Sequence, residues 1–310
     1  MSVRVIKSNF YAQAELLLSV LPIVMEEKVF ALKGGTAINL FVRNMPRLSV
    51  DIDLTYVPIE ERSKSLLAME MALMRIKNRL QKLDSSCHIQ EKRLQINNRL
   101  VKLFVRKNNA GIKIEPNEVL RGIVYPCKSY KLSEAAEKVF GISIADVSVL
   151  SFADLYGGKI CAALDRQHPR DLFDVKLLLE NEGINNHIRL AFVVYLASSS
   201  GAMHELLDPK LINIDGVFFN EFQGMTNVPV TLDEILHTRQ QLLKTIHSEL
   251  TEKERLFLLS FKQGDPNWHL IELPHVQQLP AIQWKLQNIQ KMGHYKRKLM
   301  MEKLKKVLCL

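Results

Sequence analysis

The segment that decides the fold spans residues 29–57 and reads VFALKGGTAINLFVRNMPRLSVDIDLTYV. Residues 29–32 form a short apolar run that leads into a glycine pair, which is typical of a buried strand followed by a turn. Apolar side chains recur at helical spacing in residues 36–43, and residues 51–57 alternate between polar and apolar as a strand does. The segment therefore predicts a strand, a Gly-Gly-Thr turn, a helix and a second strand.

The sequence on either side extends this unit into a sheet with flanking helices. Amphipathic pattern and strong helix formers predict helices at residues 9–25 and 60–82. Further strands are expected at residues 87–93, 100–106 and 111–117, the last two joined by a hairpin turn. Strands mixed with helices indicate an α/β class with a mixed sheet up to about residue 125.

Strand signals fade beyond residue 125, and helix signals replace them. Capping boxes begin at Ser151 and Thr251. Helices are predicted at residues 151–164, 169–181, 184–197 and 280–308. The last of these is expected to be one long, basic, amphipathic helix. We therefore predict two domains, a mixed-sheet domain in residues 1–135 and a mostly helical domain in residues 136–310.

The composition is that of an ordinary globular protein. The chain has 310 residues, of which 47% are hydrophobic and 24% charged, and this excludes disordered and fibrous classes. Its four cysteines lack CxxC or Cys/His ligand spacing, so we expect neither a zinc site nor a disulfide framework. Because the N-terminal residues lack the apolar region of a signal peptide, we expect a cytoplasmic protein with no membrane segment.

The positive charge is unevenly distributed along the chain. The formal net charge is +9, and residues 75–107 carry ten basic side chains against two acidic ones. Residues 291–310 carry seven basic side chains against one acidic side chain. Such segregation is typical of a polyanion-binding surface, but it also occurs on a solvated helix face, and the sequence leaves both open.

Three acidic side chains predict a metal site. Asp51 and Asp53 are two apart on a predicted strand, so both carboxylates lie on one face and Ile52 on the other. Two like charges so close become favourable when a hard divalent cation binds between them. Glu115 has a similar position on a later strand, and it supplies a third carboxylate if the two strands are neighbours. Metal-assisted in-line displacement at phosphorus needs such a set.

The glycine pair supplies a complementary phosphate site. Gly34 and Gly35 lack Cβ atoms, so their backbone N–H groups can approach a triphosphate closely. The N-terminus of the helix that follows also favours negative charge. Each feature alone is common in ordinary turns and strand ends, whereas their order along the chain is informative.

These motifs together resemble those of a known family. The stretches KGGTA (residues 33–37) and RLSVDIDL (residues 47–54) are similar to the nucleotidyltransferase signature of the AbiEii/AbiGii and MenT toxins. The resemblance continues in DLYGGK (residues 154–159), Arg166 and RDLFD (residues 170–174). It covers about residues 30–180 and implies a nucleotidyltransferase fold. The family often has serine in the second position of the glycine motif, where this chain has Gly35.

The resemblance and the carboxylate chemistry together imply catalytic roles. Asp51 and Asp53 are expected to coordinate Mg²⁺ or Mn²⁺, and Glu115 to complete the site or act as general base. Asp171 and Asp174 are three apart on a helix and share a face, so one of them is expected to reach the active site and the other to pair with Arg170 or Arg166.

The same resemblance implies a set of nucleotide-binding residues. Lys159 is expected to reach the phosphates of an NTP as a point charge. Arg47 either binds phosphate or holds Asp51 through a bidentate pair. Ser49 shares a face with Asp51 if the strand extends that far, so that a phosphate added there would compete for the metal. The full expected set is Lys33, Gly34, Gly35, Thr36, Arg47, Ser49 and Lys159.

The implied function is a metal-dependent toxin of a type IV toxin–antitoxin or abortive-infection system. It would transfer a nucleoside monophosphate from an NTP to an acceptor, with the 3′ end of tRNA as the expected acceptor and a cognate antitoxin as a partner. The alternatives are a small-molecule nucleotidyltransferase of the antibiotic-modifying kind and a nucleotide-binding interaction protein without turnover. The role of residues 185–310 is left open.

Overall fold

The computed structural model describes residues 9–310. Seven strands in this range form one sheet, and they are β1 (Phe30–Lys33), β2 (Asp51–Tyr56), β3 (His88–Arg93), β4 (Leu100–Lys107), β5 (Ala110–Asn117), β6 (Lys128–Tyr130) and β7 (Val147–Val149). Their spatial order is β3-β4-β5-β2-β1-β7-β6. The first five strands lie where the sequence predicts them, and the mixed α/β class is confirmed.

The centre of the sheet is β2, which pairs antiparallel with β1 and parallel with β5. Ile52 and Leu54 of β2 are fully buried, which is the consequence of strand alternation when one face meets the core. Ile112 and Ile114 of β5 are buried in the same way. The parallel pairing of β2 with β5 matters for the site, because it makes neighbours of two strands that are far apart in sequence.

Helices flank the sheet where the apolar periodicity predicts them. Helix α1 covers Asn9–Val24, and α3 covers Arg62–Leu83. The buried positions of α3 include Leu66, Met69, Leu73 and Ile76, which follow the three-and-four spacing of one helix face.

The helix between β1 and β2 has two kinds of turn. Its start, α2 (Gly34–Thr36), is α-helical, and Ala37–Val42 is wound as a π-helix. The amide of Arg43 accordingly donates to the carbonyl oxygen of Ile38 five residues earlier, at 2.8 Å. Isolated π turns are frequent at functional sites, and this one begins two residues after the glycine pair.

The remainder of the described chain is mostly helical. Its helices are α4 (Glu134–Phe140), α5 (Phe152–Arg166), α6 (Pro169–Asn181), α7 (Asn186–Ser198), α8 (Met203–Leu207), α9 (Asp215–Glu221), α10 (Leu232–Glu249), α11 (Glu252–Gln263), α12 (Pro280–Gln290) and α13 (His294–Leu308). Thr251 and Glu254 form the predicted capping box at the start of α11. Within residues 9–310, no helix combines the length and apolarity that crossing a bilayer requires.

The structure corrects the sequence-based prediction in two places. Residues 280–308 form two helices rather than one. The helical conformation is interrupted at residues 291–293, and Gly293 precedes the first turn of α13. Strands β6 and β7 and helices α4, α8, α9 and α10 were not predicted. The two strands have three residues each, which is too short for alternation to be visible, and α4 ends after two turns at Gly141, where φ is +65°.

The described chain divides into two compact units. The sheet unit comprises residues 9–121, Pro126–Ser151 and Gln223–Pro229, and the helical unit comprises Gly122–Tyr125, Phe152–Phe222 and Val230–Leu310. The chain therefore enters each unit more than once. The division into two domains at residue 135 stays a prediction.

Candidate active site

The sheet register brings the three predicted carboxylates together. On β2, Asp51 and Asp53 point to the face opposite Ile52, as strand alternation requires. Glu115 of β5 lies directly opposite Asp53 in the parallel register. Lys33 lies opposite Asp53 on the other side, in β1. The condition that the two strands be neighbours is thus met, and the carboxylates share one face of the sheet.

Lysines accompany these carboxylates. Lys102 Nζ lies 2.6 Å from Glu115 Oε2, and Lys113 Nζ lies 3.9 Å from Asp51 Oδ1. Within residues 9–310, no three His, Cys, Asp or Glu side chains are grouped as ligands for one metal ion. In this structure the Glu115 carboxylate is paired with Lys102.

The glycine pair is required by the side chains that lie against it. A Cβ atom on Gly34 would stand 2.5 Å from Asp53 Oδ2, and one on Gly35 would stand 2.6 Å from Arg47 Nη2. Gly34 also has φ +73°, which L side chains rarely adopt. The glycines thus let the loop lie directly against Asp53 and Arg47, in addition to the expected approach of phosphate.

We expect Gly34→Ala to lower both stability and activity. The left-handed φ costs about 1–2 kcal/mol for any other residue, and the clash with Asp53 adds roughly 1–3 kcal/mol or displaces the carboxylate. Gly141→Ala is the matched control, because Gly141 has φ +65° in the same unit and no atom within 4 Å of the added Cβ. Urea unfolding and nucleotide transfer measure both variants. Equal transfer activity in the two variants would contradict the importance of the Gly34–Asp53 contact.

A buried hydrogen-bond network fixes the loop on β2. The Thr36 hydroxyl donates to the carbonyl oxygen of Asp51 at 2.6 Å and is hydrogen-bonded to Ser49 Oγ at 2.9 Å. The Asn39 side-chain amide donates to the carbonyl oxygen of Gly35 at 2.9 Å. No motif surrounds Asn39, so this role is not predicted from the sequence. These bonds hold the glycine pair and the Asp51 backbone in one arrangement.

Ser49 and Arg47 are both buried beneath the loop. Ser49 is 6% exposed and precedes β2, which begins at Asp51, so the strand does not extend to it. Arg47 is 2% exposed, and its Nη1 donates to the carbonyl oxygen of Leu48 at 2.9 Å. Their positions against Gly35 place both residues at the loop, and their roles in nucleotide binding stay predictions.

A distant segment, residues 223–229, holds the chain that leads into β2. The amide of Leu48 donates to the carbonyl oxygen of Met225 at 2.8 Å, and the amide of Asn227 donates to that of Pro46 at 3.0 Å. The Asn227 side chain also donates to the carbonyl oxygen of Met45. We call residues 223–229 the clamp segment. Sequence reasoning missed it, because nothing local marks a contact about 180 residues away.

The later motif residues form an ion network in the helical unit. Lys159 Nζ lies 2.8 Å from Asp171 Oδ1 and 3.0 Å from Asp174 Oδ2. Arg166 Nη2 lies 2.7 Å from Asp171 Oδ2. Burial raises the pKa of Asp171, but the charges of Lys159 and Arg166 outweigh it and lower the pKa to about 2. The predicted pairing of one aspartate with Arg166 is thus present in the structure.

Asp154, in the DLYGGK motif, is buried and accepts several hydrogen bonds. Its carboxylate accepts hydrogen bonds from the amides of Val124 and Tyr125, each at 2.8 Å, and from the Tyr195 hydroxyl at 2.9 Å. The motif residue therefore secures residues 122–125 within the helical unit. The sequence predicts a capping box that begins at Ser151, and such a motif does not indicate these partners of Asp154.

The predicted site residues fall into two groups. The sheet unit holds Asp51, Asp53 and Glu115 together with the loop set, which comprises Lys33, Gly34, Gly35, Thr36, Arg47 and Ser49. The helical unit holds Lys159, Asp171 and Asp174. The contribution of the second group to nucleotide binding stays a prediction, as do the individual roles in the first.

Comparisons with known proteins give one family match and a similar solved structure. Residues 15–288 match the family model described as nucleotidyl transferase AbiEii toxin, type IV TA system. No curated protein sequence matches the chain. The fold is similar to that of MenT4, a nucleotidyltransferase toxin from Mycobacterium tuberculosis H37Rv, with a TM-score of 0.58 and 14% identity over 93% of this chain and 99% of that one. The family match extends well beyond the motifs recognised by sequence, into the helices after residue 185.

Proposed function

The chain belongs to the AbiEii nucleotidyltransferase toxins of type IV toxin–antitoxin systems, and from this premise we propose that it transfers the nucleoside monophosphate of an NTP to the 3′ end of tRNA in a metal-dependent reaction. We place this reaction in the cytoplasm, where NTPs and tRNA are found. The family implies an antitoxin partner.

One observation supports this proposal most strongly. The parallel register of β2 and β5 sets Glu115 opposite Asp53, and the glycine loop lies against the same aspartate. Transfer of a nucleotidyl group requires carboxylates that bind the metal and a loop that binds the phosphates. Carboxylates and a glycine loop are both present here at neighbouring positions of the sheet.

The donor chemistry of the site fits a divalent cation. Asp51 and Asp53 offer hard oxygen ligands on one face of a strand, and such ligands suit Mg²⁺ or Mn²⁺. We propose that these two residues hold the ion. When bound, the ion would neutralise charge that develops on the phosphate oxygens.

The remaining steps belong to the residues of the chain. The oxygen of the terminal ribose hydroxyl bonds to the α-phosphorus, the bond from that phosphorus to the bridging oxygen breaks, and pyrophosphate leaves. The loop from Gly34 to Thr36 orients the phosphates through its backbone N–H groups. Glu115, once it is released from Lys102, takes the hydroxyl proton; if it instead supplies a third carboxylate to the ion, the proton passes to solvent water.

Labelled nucleotides test the proposal directly. The purified protein is incubated with each NTP in turn, labelled on the α-phosphate, together with Mg²⁺ or Mn²⁺ and total tRNA. We expect label to appear on tRNA and to be absent when the metal is chelated. Periodate-oxidised tRNA, which lacks the terminal cis-diol, is the matched control and should accept no label.

Two other outcomes would contradict the proposed acceptor or the proposed reaction. Label on an aminoglycoside but not on tRNA would identify a small-molecule nucleotidyltransferase. NTP binding without transfer to any acceptor would identify a binding protein without turnover.

We expect a negative charge at Ser49 to switch off transfer. Ser49→Asp places a carboxylate at a buried position that is hydrogen-bonded to Thr36, whose hydroxyl also holds the Asp51 backbone. A like charge a few ångströms away costs a few kcal/mol, so transfer should fall by about a hundredfold. Ser49→Ala, which adds no charge, should retain most activity. Equal rates of label incorporation in both variants and the wild type would rule out this role.

A further inference from the structure

The two basic segments of the chain differ in how their charges are balanced. Seven of the ten basic side chains in residues 75–107 form ion pairs with carboxylates of the sheet unit, for example Arg75 with Glu27 and Lys107 with Asp84. These cations are therefore largely neutralised within the fold. This segment is a weak candidate for binding a polyanion.

The basic side chains of the C-terminal segment, taken here from residue 280 so that it includes α12, are not balanced by carboxylates. Residues 280–310 carry eight basic side chains and a single acidic one, Glu302. Among the residues that the structure describes, none of these eight forms an ion pair with a carboxylate. Lys285 and Arg297 bind backbone carbonyl oxygens instead. The positive charge of α12 and α13 is thus left for a partner outside the chain.

A buried lysine lies where these helices pack. Lys262, on α11, is 5% exposed, and within residues 9–310 its ammonium has no hydrogen bond and no ion pair. Lys262 Nζ is not one of the fully buried nitrogens that lack a partner, so the charged end keeps some access to solvent, although burying the rest of the side chain around a charge is costly. Its stem is fixed by packing, so the position of the charge is built into the fold.

The charged neighbours of Lys262 are mostly cationic. They are Lys285 on α12, Lys296 on α13 and His204 on α8, with Glu205 on α8 as the acidic neighbour. Burial lowers the pKa of Lys262, and Lys296 lowers it further. Glu205 raises it only in part, and its side chain is 72% exposed. The cluster therefore has excess positive charge that an anion would neutralise.

Lys285 has a different function in this cluster. Its Nζ donates to the carbonyl oxygens of Ser199 at 2.5 Å and Gly201 at 2.9 Å, just beyond the C-terminus of α7. Burial lowers its pKa to about 8, and Lys262 contributes. Because Lys285 is occupied by the helix end, Lys262 and the exposed lysines of α13 are left to bind the anion.

We propose that Lys262, together with Lys296 and Lys303 of α13, binds a backbone phosphate of the RNA acceptor. This inference rests on the proposed function and assigns it a second contact region. A phosphate group has several oxygens that accept hydrogen bonds, whereas an ammonium group only donates them, so the two are complementary. An extended polyanion fits better than a single free anion, because α13 continues the row of cations for about 22 Å, the length of a 15-residue helix.

The test compares RNA binding by the wild-type protein and Lys262→Met over a range of salt concentrations. Methionine keeps most of the buried stem and removes the charge. We expect affinity for deacylated tRNA to fall about three- to tenfold and the salt slope to fall by about 0.7 to 1, the value for one phosphate contact. The melting temperature should stay level or rise, because the variant no longer buries an ammonium group. Lys262→Arg should keep the slope.

Lys176→Met is the matched control, since Lys176 lies in the same unit but pairs with Glu180 at 2.6 Å. It should leave the salt slope unchanged. Inorganic pyrophosphate, added as a free anion, separates the sources of phosphate. If it raises the melting temperature of the wild type but not that of Lys262→Met, while Lys262→Met binds tRNA normally, the site takes a free anion and the RNA assignment is wrong.

Other outcomes distinguish this inference from the proposed function. An unchanged salt slope in Lys262→Met, with wild-type tRNA binding intact, overturns the inference alone. Failure of the wild type to bind tRNA overturns the RNA acceptor and this site together. The nucleotidyltransferase activity would still be measurable with another acceptor.

Discussion

Replacing Asp53 by asparagine is expected to lower nucleotide transfer by about a thousandfold or more, which corresponds to roughly 4 kcal/mol of transition-state stabilisation. Asp53 combines three structural relations that no other residue of the site has. It lies opposite Glu115 in β5 and opposite Lys33 in β1, and its carboxylate lies against Gly34. Asparagine keeps the shape and removes the charge that a divalent cation needs.

The free energy of unfolding of this variant should be unchanged or slightly higher, because one of two neighbouring carboxylates is neutralised. Transfer of α-labelled nucleotide and urea unfolding provide the two readouts. Asp208→Asn is the matched control, since Asp208 is exposed and lies outside the carboxylate cluster. A folded Asp53→Asn protein with more than a tenth of the wild-type rate would remove Asp53 from the catalytic group.

Replacing Lys159 by methionine is expected to lower the free energy of unfolding by about 3–5 kcal/mol, because the buried carboxylates of Asp171 and Asp174 lose the ammonium group that they share. The Lys159 ammonium is 6% exposed and contacts Asp171 and Asp174, of which Asp174 is fully buried. A loss of this size is a large part of the 5–15 kcal/mol that typically stabilises a folded protein. Lys64→Met, at an exposed pair with Glu60, should change little.

The pH dependence of this effect has a defined sign. The pKa of Asp171 is lowered to about 2 in the folded protein, so its ionised form contributes stability above the unfolded pKa of about 4. That contribution is lost as the pH falls from about 4 towards 2. The stability difference between wild type and Lys159→Met should therefore shrink over this range. A difference below about 1 kcal/mol at pH 7 would show that the network contributes little.

The sequence was most informative where structure is local. Apolar alternation placed β2 and β5, and the spacing of Asp51 and Asp53 put their carboxylates on one face. The family motifs added the correct class of enzyme. They do not predict the pairing of β2 with β5, on which the contribution of Glu115 depends.

The remaining features depend on contacts that are distant in sequence. Lys102 reaches Glu115 because β4 and β5 are a hairpin in a specific register, and a single-residue shift would turn it to the other face. Lys262 looks like one of many lysines on a helix until the packing of α11 against α13 buries it. Residues 280–308 kept one helical pattern across Gly293, so periodicity alone concealed the break.

The clamp segment has a consequence during synthesis of the chain. The residues that it holds, Met45 to Leu48, leave the ribosome long before residues 223–229 do. At about 5–20 residues per second, the intervening stretch takes roughly 9 to 35 seconds to translate. Until then the nascent chain contains Asp51 and Asp53 but lacks the contacts that hold the segment leading into their strand. A ribosome-bound or truncated product that ends before residue 223 should therefore be a poor toxin, which delays activity until about half of the helical unit has been made.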